Sequence, residues 1–432
     1  MKLLVFAHTP PPHHGQSYMV QLMLEGFGGD NRRKVSKNEP GSEFGIECYH
    51  VNARLSQGIH EIGGFQPRKV FALIGYCLEA IWCRFRYGVT NFYYVPAPGH
   101  RSALYRDWLV MLLCRPFFRN LVLHWHAAGL TEWLTTSTSV SVRWLTQRLL
   151  GNPQESIVLS RYNNADAVWL RSRHVEVVHN GINDCCPEFE HKVLPARLAR
   201  CKARQKLSLG KALSAPETEQ AGTDAHIFKV LYVAHCSREK GLFDAVDGVA
   251  LSNTWLAKSG SAMRVQLTVA GEFVNPVERA EFEARIRAAD LQFAAENADL
   301  PDEKVSTKVV AGMQLAVQYF GFLGGEQKRN AFIATDCFCL PTYYANENQP
   351  VSLLEAMAFG LPIVTTRWRS LPELFPDNYV GLVNVRSPKQ IAETFIKMIS
   401  GQTGEPLRPM FLSKYTLAQH LCALAAALQR DE

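Results

Sequence analysis

The chain has 432 residues, which predicts two domains of about 200 residues each rather than one core. Its composition, 47% hydrophobic and 20% charged, excludes a disordered or fibrous protein, and no apolar run reaches the roughly 18 residues of a membrane span. The net charge of +6 lies in the first half, because residues 1–186 contain 19 Lys and Arg against 13 Asp and Glu.

The first domain is predicted over residues 1–186. Lys2–Ala7 is a continuous apolar run, typical of a parallel strand buried on both faces and too short for a secretory leader. Further strand patterns and the helical patterns between them indicate an α/β domain with a parallel sheet. The strands are expected at Asn91–Val95, Leu121–Trp125, Ser156–Ser160 and Glu176–His179, and the helices at Tyr18–Leu24, Val70–Phe85 and Leu104–Leu113.

A second α/β domain is predicted over residues 227–410, after a polar linker with an inserted helix at 187–226. Residues 411–432 form a C-terminal helix that we expect to pack near the first domain. Two such domains in series predict a cleft at the carboxyl ends of their strands. The strands are expected at Phe228–Ala234, Val265–Ala270, Val317–Gly321, Cys337–Leu340 and Ile363–Thr366.

The 11 cysteines are scattered, and only Cys185 and Cys186 are adjacent. This pattern predicts reduced thiols packed as small apolar side chains, and therefore a cytoplasmic protein. Without paired CxxC spacing and histidine partners, no zinc site is expected.

The stretch Pro341–Pro362 carries the most chemical information. A strand ends at Leu340, a loop follows, and a helix is predicted to begin with Pro350 at its first position and to close at Gly360. The amides of Val351 and Ser352 then lack acceptors at the positive end of a helix dipole, where a pyrophosphate binds well.

Two acidic residues flank this helix start. Glu355 lies about 7.5 Å along the axis from Pro350 at 1.5 Å per residue, where a carboxylate can accept both hydroxyls of a ribose. Glu347 lies on the preceding loop, where the sugar of a nucleotide-sugar donor would be placed.

In order and context, these residues resemble the E-x7-E motif of retaining GT-B glycosyltransferases of group 1. The other motifs that carry the resemblance are Asn180-Gly181-Ile182, Lys240-Gly241, Phe320-Gly321-Phe322 and Leu340-Pro341-Thr342. The resemblance covers most of the chain. It implies a GT-B fold and transfer of a sugar from a nucleotide diphosphate sugar, a UDP- or GDP-sugar, with retention of configuration.

The resemblance also implies residue roles. Glu355 would hold the donor ribose, Glu347 would contact the donor sugar, and Lys240 would neutralise the diphosphate. No DxD-type pair follows a strand, so no obligatory metal or other cofactor is expected, and the acceptor would attack from the face that the diphosphate leaves. The remaining donor-binding candidates are Gln349, Pro350, Val351, Ser352 and Phe322.

Two positions depart from the family pattern. His235 stands where the family commonly has an arginine, so either His235 or Arg238 contacts the diphosphate. Asn348 replaces the glycine that usually follows the first glutamate, and asparagine tolerates left-handed backbone better than most residues.

The first domain contributes two further candidates. Gly15, in the loop Pro11–Ser17, would let the backbone approach a ligand closely. His126 follows a strand, and the resemblance places it near the donor sugar. His124 is expected to point to the opposite face of the sheet, into the core.

The acceptor is expected to be a glycan or a lipid-diphosphate-linked glycan, as in exopolysaccharide or lipopolysaccharide biosynthesis. Arginines and aromatic residues interleave in Tyr76–Tyr87 and Tyr105–Arg119, which fits either a peripheral contact with the inner face of an anionic membrane or ordinary core helices.

Other functions could use the same architecture or the same basic residues. A nucleotide-sugar epimerase or hydrolase would share the architecture, and so would a non-catalytic GT-B partner subunit. Nucleic-acid binding is not expected, because no reader motif accompanies the basic residues.

Overall fold

The chain forms two compact units, which a computed structural model describes over residues 1–11, 14–33, 43–55, 67–296, 316–404 and 406–430. The N-terminal unit contains Met1–Asn183, Ala345–Val351 and Ser413–Glu432, and the C-terminal unit contains Asp184–Tyr344 and Ser352–Leu412. Pro12 and His13 of the predicted glycine loop lie outside the described residues.

Strands and helices alternate along both units. The strands are β1 (Lys2–Phe6), β2 (Glu47–Val51), β3 (Asn91–Tyr94), β4 (Asn120–Trp125), β5 (Glu155–Val158), β6 (His174–Val177), β7 (Ile227–Val233), β8 (Arg264–Ala270), β9 (Val317–Tyr319), β10 (Cys337–Leu340), β11 (Ile363–Thr366) and β12 (Leu382–Val383). The described α-helices are α1 (Gly15–Gly26), α2 (Pro67–Tyr87), α3 (Arg101–Cys114), α4 (Leu130–Ser137), α5 (Val140–Leu150), α6 (Asn164–Trp169), α7 (Leu194–Ser208), α8 (Ala215–Ala221), α9 (Leu242–Lys258), α10 (Pro276–Glu296), α11 (Gly325–Ile333), α12 (Val351–Ala358), α13 (Pro388–Ile399), α14 (Arg408–Lys414) and α15 (Leu417–Leu428).

The N-terminal unit is built on a parallel sheet in the order β2-β1-β3-β4-β5-β6. The apolar run of β1 covers both faces, because successive side chains point to opposite sides of a strand. Leu4 and Phe6 pack into the core shared with α2 and α3. Leu3 and Val5 pack into the second core, which α1 and α15 cover.

Helix α15 completes the N-terminal unit although it comes last in the chain. Leu421 and Leu424 enter the same core as Leu3 and Val5. Helices α1 and α15 are in close contact, because a Cβ atom on Gly26 would lie 2.3 Å from Leu421 Cδ1. The last helix therefore packs onto the first sheet.

The C-terminal unit repeats the architecture with a parallel sheet in the order β12-β11-β10-β7-β8-β9. Asp336, just before β10, accepts hydrogen bonds from Arg200 (2.9 Å) and from Lys229 N (3.0 Å), and it pairs with Arg204 at 3.0 Å. These contacts fix α7 to the sheet.

Three local predictions are wrong. Strands β2 and β12 were missed, because β2 mixes Glu47 and His50 with apolar residues and β12 has only two residues. The segment 187–226 carries two α-helices, α7 and α8, instead of one. Helix α12 begins at Val351, so Pro350 precedes its first residue.

All 11 cysteines are free thiols. Within the described ranges, no helix has both the length and the apolar composition that crossing a bilayer requires.

Candidate functional site

Both sheets reverse their strand order at the first strand of their unit. In the N-terminal unit β1 lies between β2 and β3, and in the C-terminal unit β7 lies between β8 and β10. Open α/β sheets bind ligands beyond the carboxyl ends of the strands at such reversals. The predicted site residues follow β1, β4, β7, β9 and β10, all at carboxyl ends.

The reversal of the C-terminal unit brings Lys240 against the segment that follows β10. Gly241 has a left-handed φ of +77°, and a Cβ atom there would lie 2.1 Å from Pro341 O. Tyr343 N donates to Glu239 O at 2.8 Å. The Lys240 ammonium lies 4.7 Å from the centre of the Tyr344 ring, a cation–π contact that holds the charge at the strand ends.

The two alternative cations before Lys240 have different surroundings. His235 is anchored by its carbonyl, which accepts from Tyr232 Oη at 3.1 Å. Arg238 faces α10, where its guanidinium donates to Glu281 and its main-chain N donates to Glu278 at 3.0 Å. The hydrogen bond that Arg238 donates to Glu281 raises the pKa of Arg238. Arg238 is thus already hydrogen-bonded to acidic residues of α10.

Glu355 is held by a lysine that the sequence analysis missed. Lys328 Nζ on α11 lies 2.6 Å from Glu355 Oε1. Glu355 Oε2 is buried and accepts no hydrogen bond from a described residue. One carboxylate oxygen of Glu355 is therefore paired with Lys328, and the other is buried and keeps unused capacity to accept a hydrogen bond.

Gly360 closes the carboxyl end of helix α12, as the sequence predicted. Gly360 has a φ of +58°, and its N donates to Met357 O at 3.0 Å while Leu361 N donates to Ala356 O at 3.0 Å. At the other end, Val351 and Ser352 contribute first-turn amides, which have no acceptor within a helix and carry the positive end of its dipole.

The loop before α12, Ala345–Val351, packs within the N-terminal unit. Asn348 Nδ2 donates to Trp125 O at 3.4 Å and Asn348 Oδ1 accepts from Ser160 Oγ at 3.3 Å. Gln349 Oε1 accepts from Asn180 N at 2.8 Å. Glu347 is only 6% exposed. The loop is thus fixed by side-chain amides.

The backbone of Asn348 is not left-handed, so the interpretation of this asparagine as a substitute for a left-handed glycine is wrong. Asn348 does not occur among the described non-glycine residues with positive φ, which are Asn152, Arg171, Arg369, Asn378 and Arg386. Its side chain, and not a left-handed backbone, accounts for asparagine at this position.

The N-terminal unit gathers histidines beside β4. The rings of His124 and His126 lie 4.3 Å apart, so both point to the same side of the sheet, and the prediction of opposite faces is wrong. Residues two apart in a strand share a face. His124 is buried, as predicted, and Nδ1 bonds with Tyr93 Oη.

His126 is held uncharged. Burial lowers its pKa to about 3, with further contributions from His420 and His14. Its Nε2 is buried and has no hydrogen-bond partner among the described residues. His126 therefore offers a neutral ring nitrogen directly after β4.

Two more histidines follow β1. His8 Nε2 and His14 Nε2 lie 2.8 Å apart, and His14 Nδ1 accepts from Ser17 N at 3.3 Å at the start of α1. Burial lowers the pKa of His8 to about 4, and His14 lowers it further. The next residue, Gly15, opens α1, and a Cβ atom there would lie 3.6 Å from Val351 Cγ2.

Phe322 lies apart from these residues, after β9. It is 62% exposed and follows Gly321, whose φ is +67°. The structure thus brings Lys240 together with the segment after β10 and Glu355 together with Lys328. In the N-terminal unit it brings Gly15 and Val351 together.

Sequence reasoning missed Lys328, His8 and His420. His8 could have been found, because it directly follows the first apolar strand. Lys328 and His420 lie on helices far along the chain from their partners and carry no local signal. Within the described residues, no group of three or more His, Cys, Asp or Glu side chains could hold a metal ion.

Comparisons with known proteins agree with this architecture. Residues 217–411 match the sequence profile of the family described as glycosyl transferases group 1. The chain is similar in structure to a sucrose-phosphate synthase from Thermosynechococcus elongatus, with a TM-score of 0.62 and 14% identity over 100% of this chain and 99% of that chain. It is also similar to HepE of Anabaena in complex with UDP-glucose, with a TM-score of 0.59 and 14% identity over 99% of each chain.

A relative found by sequence similarity is also a glycosyltransferase. The chain is 25% identical over 179 residues to the amylovoran biosynthesis glycosyltransferase AmsK of Erwinia amylovora, which is 40% of this chain and 36% of that protein. The match thus spans about a third of the relative's length.

Two parallel six-stranded sheets, each reversing at its first strand, define a two-domain GT-B fold. The match to the group 1 glycosyl transferases runs from within α8 to α14.

Proposed function

We propose that the protein is a retaining glycosyltransferase, which moves a sugar from a nucleotide diphosphate sugar to a glycan or lipid-linked glycan. One observation carries the proposal. The start of α12 is preceded by the buried Glu347 and followed by Glu355, whose carboxylate is held by Lys328 and keeps one oxygen available.

The donor binds along this helix start. Its diphosphate lies on the amides of Val351 and Ser352, which Pro350 precedes, and Lys240 offsets the negative charge. Glu355 accepts from the ribose hydroxyls. Phe322 offers an exposed aromatic face for the base. UDP-glucose in the HepE structure supports a UDP-sugar as the first donor to test, with a GDP-sugar second.

The reaction needs no covalent intermediate. The bond between the anomeric carbon and the diphosphate oxygen breaks, and the acceptor oxygen bonds to the same face of that carbon. The acceptor proton passes to the departing diphosphate. Glu347 orients the sugar, and His126 contributes a neutral ring nitrogen because its pKa lies far below 7. Since Gln349 already bonds to Asn180, its role is to fix the loop.

The acceptor is met at an anionic membrane surface, and the protein works as a peripheral enzyme of polysaccharide biosynthesis. Helices α2 and α3 support this. On α2, Phe71 (75%), Phe85 (69%) and Trp82 (54%) are exposed, and Leu112 (61%) is exposed on α3. Exposed apolar side chains on one helix face with arginines beside them are typical of membrane contact. The biosynthetic role named for AmsK supports the polysaccharide assignment.

Thermal-shift screening against UDP-, GDP-, ADP- and dTDP-sugars tests the proposal, followed by mass spectrometry of products formed on membrane lipid extracts. One nucleotide sugar raises Tm, and a lipid-linked product gains one sugar. The anomeric coupling in the NMR spectrum of the first product matches that of the donor.

Donor-only reactions separate the alternatives. An epimerase or hydrolase would convert the donor without any acceptor, and a non-catalytic subunit would give no product with any donor. Inverted configuration in the product would contradict retention while leaving glycosyl transfer intact.

A further inference from the structure

A polar cavity lies in the N-terminal unit, at the end of its sheet opposite to the one that carries Gly15 and His126. It has a volume of about 460 Å³ and opens at the amino ends of β4, β5 and β6. Its lining includes Arg115 at the end of α3, Arg119 before β4 and Arg173 before β6. None of the described residues that line it is an Asp or a Glu.

The arginines are held in different ways. Arg115 is fixed, because its two terminal nitrogens donate to Leu149 O (2.5 Å) and Gly151 O (2.6 Å). Arg173 donates to Gln154 Oε1 at 3.1 Å, a neutral acceptor. Arg119 makes no side-chain hydrogen bond or ion pair with any described residue. The positive charge of the cavity is therefore not offset by carboxylates within its lining.

This cavity is separate from the proposed donor site. The donor and sugar candidates of the N-terminal unit follow the carboxyl ends of β1 and β4, whereas the cavity lies at the amino end of β4. The six residues of β4 span about 20 Å at 3.3 Å per residue. A ligand in the cavity does not take part in glycosyl transfer.

We propose that this cavity binds a phosphate group. Arginine guanidinium groups recognise phosphate through parallel hydrogen bonds, and Asn152 and Gln154 add neutral amides to the lining. The phosphate belongs either to a lipid headgroup or to a soluble phosphate, and the chemistry of recognition is the same.

The neighbourhood of the cavity favours a lipid headgroup, an inference that rests on the proposed membrane contact. Arg84 Nε on α2 donates at 2.9 Å to the carbonyl of Phe117, two residues before Arg119. Phe85 and Phe117 stack edge to face, with ring centres 6.0 Å apart. The exposed apolar residues of α2 thus lie next to the segment that supplies Arg119.

The test uses the full chain and two pocket variants, Arg119→Gln and Arg173→Gln. The control is Arg33→Gln, which removes a well exposed positive charge (78%) that lies 3.7 Å from Asp30 Oδ2 beside β2, at the opposite edge of the same sheet. Flotation measures binding to phosphatidylcholine vesicles with and without phosphatidic acid, and a thermal shift measures binding of inorganic phosphate.

Each pocket variant should bind phosphatidic acid vesicles about ten-fold more weakly than wild type, while Arg33→Gln changes binding less than two-fold. If phosphate raises Tm in wild type and less in the pocket variants, soluble phosphate also occupies the cavity. If inorganic phosphate changes Tm equally in wild type and in all variants while the pocket variants lose vesicle binding, the ligand of the cavity is the lipid headgroup.

The proposal would be overturned if the pocket variants and Arg33→Gln lost vesicle binding equally and phosphate shifted the Tm of all of them by the same amount. Binding of the nucleotide sugar is measured in parallel. The cavity is separate from the donor site. If the nucleotide sugar still raises Tm and the pocket variants bind vesicles as wild type does, only this inference is refuted. A missing donor shift in wild type refutes the proposed function.

Discussion

Both sheets are parallel and reverse their strand order at the first strand of the unit, but their carboxyl ends differ in strand order and in chemistry. In the N-terminal unit they carry His8, His14 and His126, and burial keeps His8 and His126 uncharged. In the C-terminal unit they carry cations that are each held by a partner, Lys240 on Tyr344 and Lys328 on Glu355. The two sheet edges thus differ in charge, since the first carries neutral rings and the second carries cations.

This difference has a physical basis in solvation. A buried imidazole loses its proton because charging it in an apolar site is costly, and a neutral ring still exchanges hydrogen bonds with hydroxyl groups. A lysine paired with a carboxylate or an aromatic ring keeps its charge and its position. Sugar hydroxyls suit the first edge, and a diphosphate suits the second.

The largest expected effect belongs to Glu347, the buried carboxylate on the histidine-bearing unit. Glu347→Ala should lower kcat about 10³-fold, because a misplaced sugar loses the geometry of attack. Nucleotide affinity should change little, since the diphosphate and ribose contacts lie elsewhere. Steady-state kinetics and nucleotide titration measure both quantities.

Glu347→Gln is the matched control, as it keeps size and hydrogen bonding and removes the charge. Recovery of at least ten-fold in kcat would support an orienting role. Full turnover in Glu347→Ala would rule out any role for this residue in transfer.

Lys240 tests the anionic edge. Lys240→Met should lower kcat about 10²-fold, because the leaving diphosphate loses a fixed positive charge as negative charge develops on it. Lys258→Met, which removes an exposed lysine at the end of the same helix α9, should leave kcat unchanged. Equal effects of the two variants would mean that Lys240 acts only through net charge.

Glu347 and Lys240 could be selected from the sequence because each lies within a short continuous motif. Runs of apolar residues also predicted β1, β3, β4 and most of β7 to β11. The edge strand β2 escaped prediction, since Glu47 and His50 interrupt its apolar pattern.

The partners of the site residues were harder to predict. Lys328 meets Glu355 from 27 residues away, on a separate helix, and His420 reaches His126 from the last helix of the chain. Only the packing of the sheet brings such pairs together. The neutral state of His126 was likewise not predictable, because it depends on burial by those distant elements.

The Lys328–Glu355 pair should give a smaller effect. Glu355→Gln and Lys328→Met should each raise the donor KM about ten-fold with kcat within a few-fold of wild type, because the ribose is bound equally in ground and transition states. The double variant should lose less than the product of the single losses, since the two side chains act as one unit. Independent losses would show that Lys328 does not act through Glu355.

A further effect concerns stability in acid and arises from the histidine-bearing unit. The pKa values of His8 and His420 lie at about 4 and that of His126 at about 3, against 6.5 in the unfolded chain, and burial is the first cause in each. Above pH 6.5 these rings are neutral in both states and cost nothing. As pH falls from 6.5 towards 4, only the unfolded chain takes up the protons, so the free energy of unfolding drops by about 1.4 kcal/mol per pH unit for each ring.

His420→Asn isolates one of these protons. Asn retains a donor for the carbonyl of His179, which His420 Nδ1 contacts at 2.7 Å, and it cannot be protonated. Urea unfolding between pH 4.5 and 7 should therefore show a slope shallower by about one proton. Leu424→Ala, on the same helix, should lower stability equally at every pH and leave the slope unchanged, because it removes only buried apolar surface. An unchanged slope in His420→Asn would mean that the neutral histidines of this unit are not set by burial, and the contrast between the two sheet edges would then need another cause.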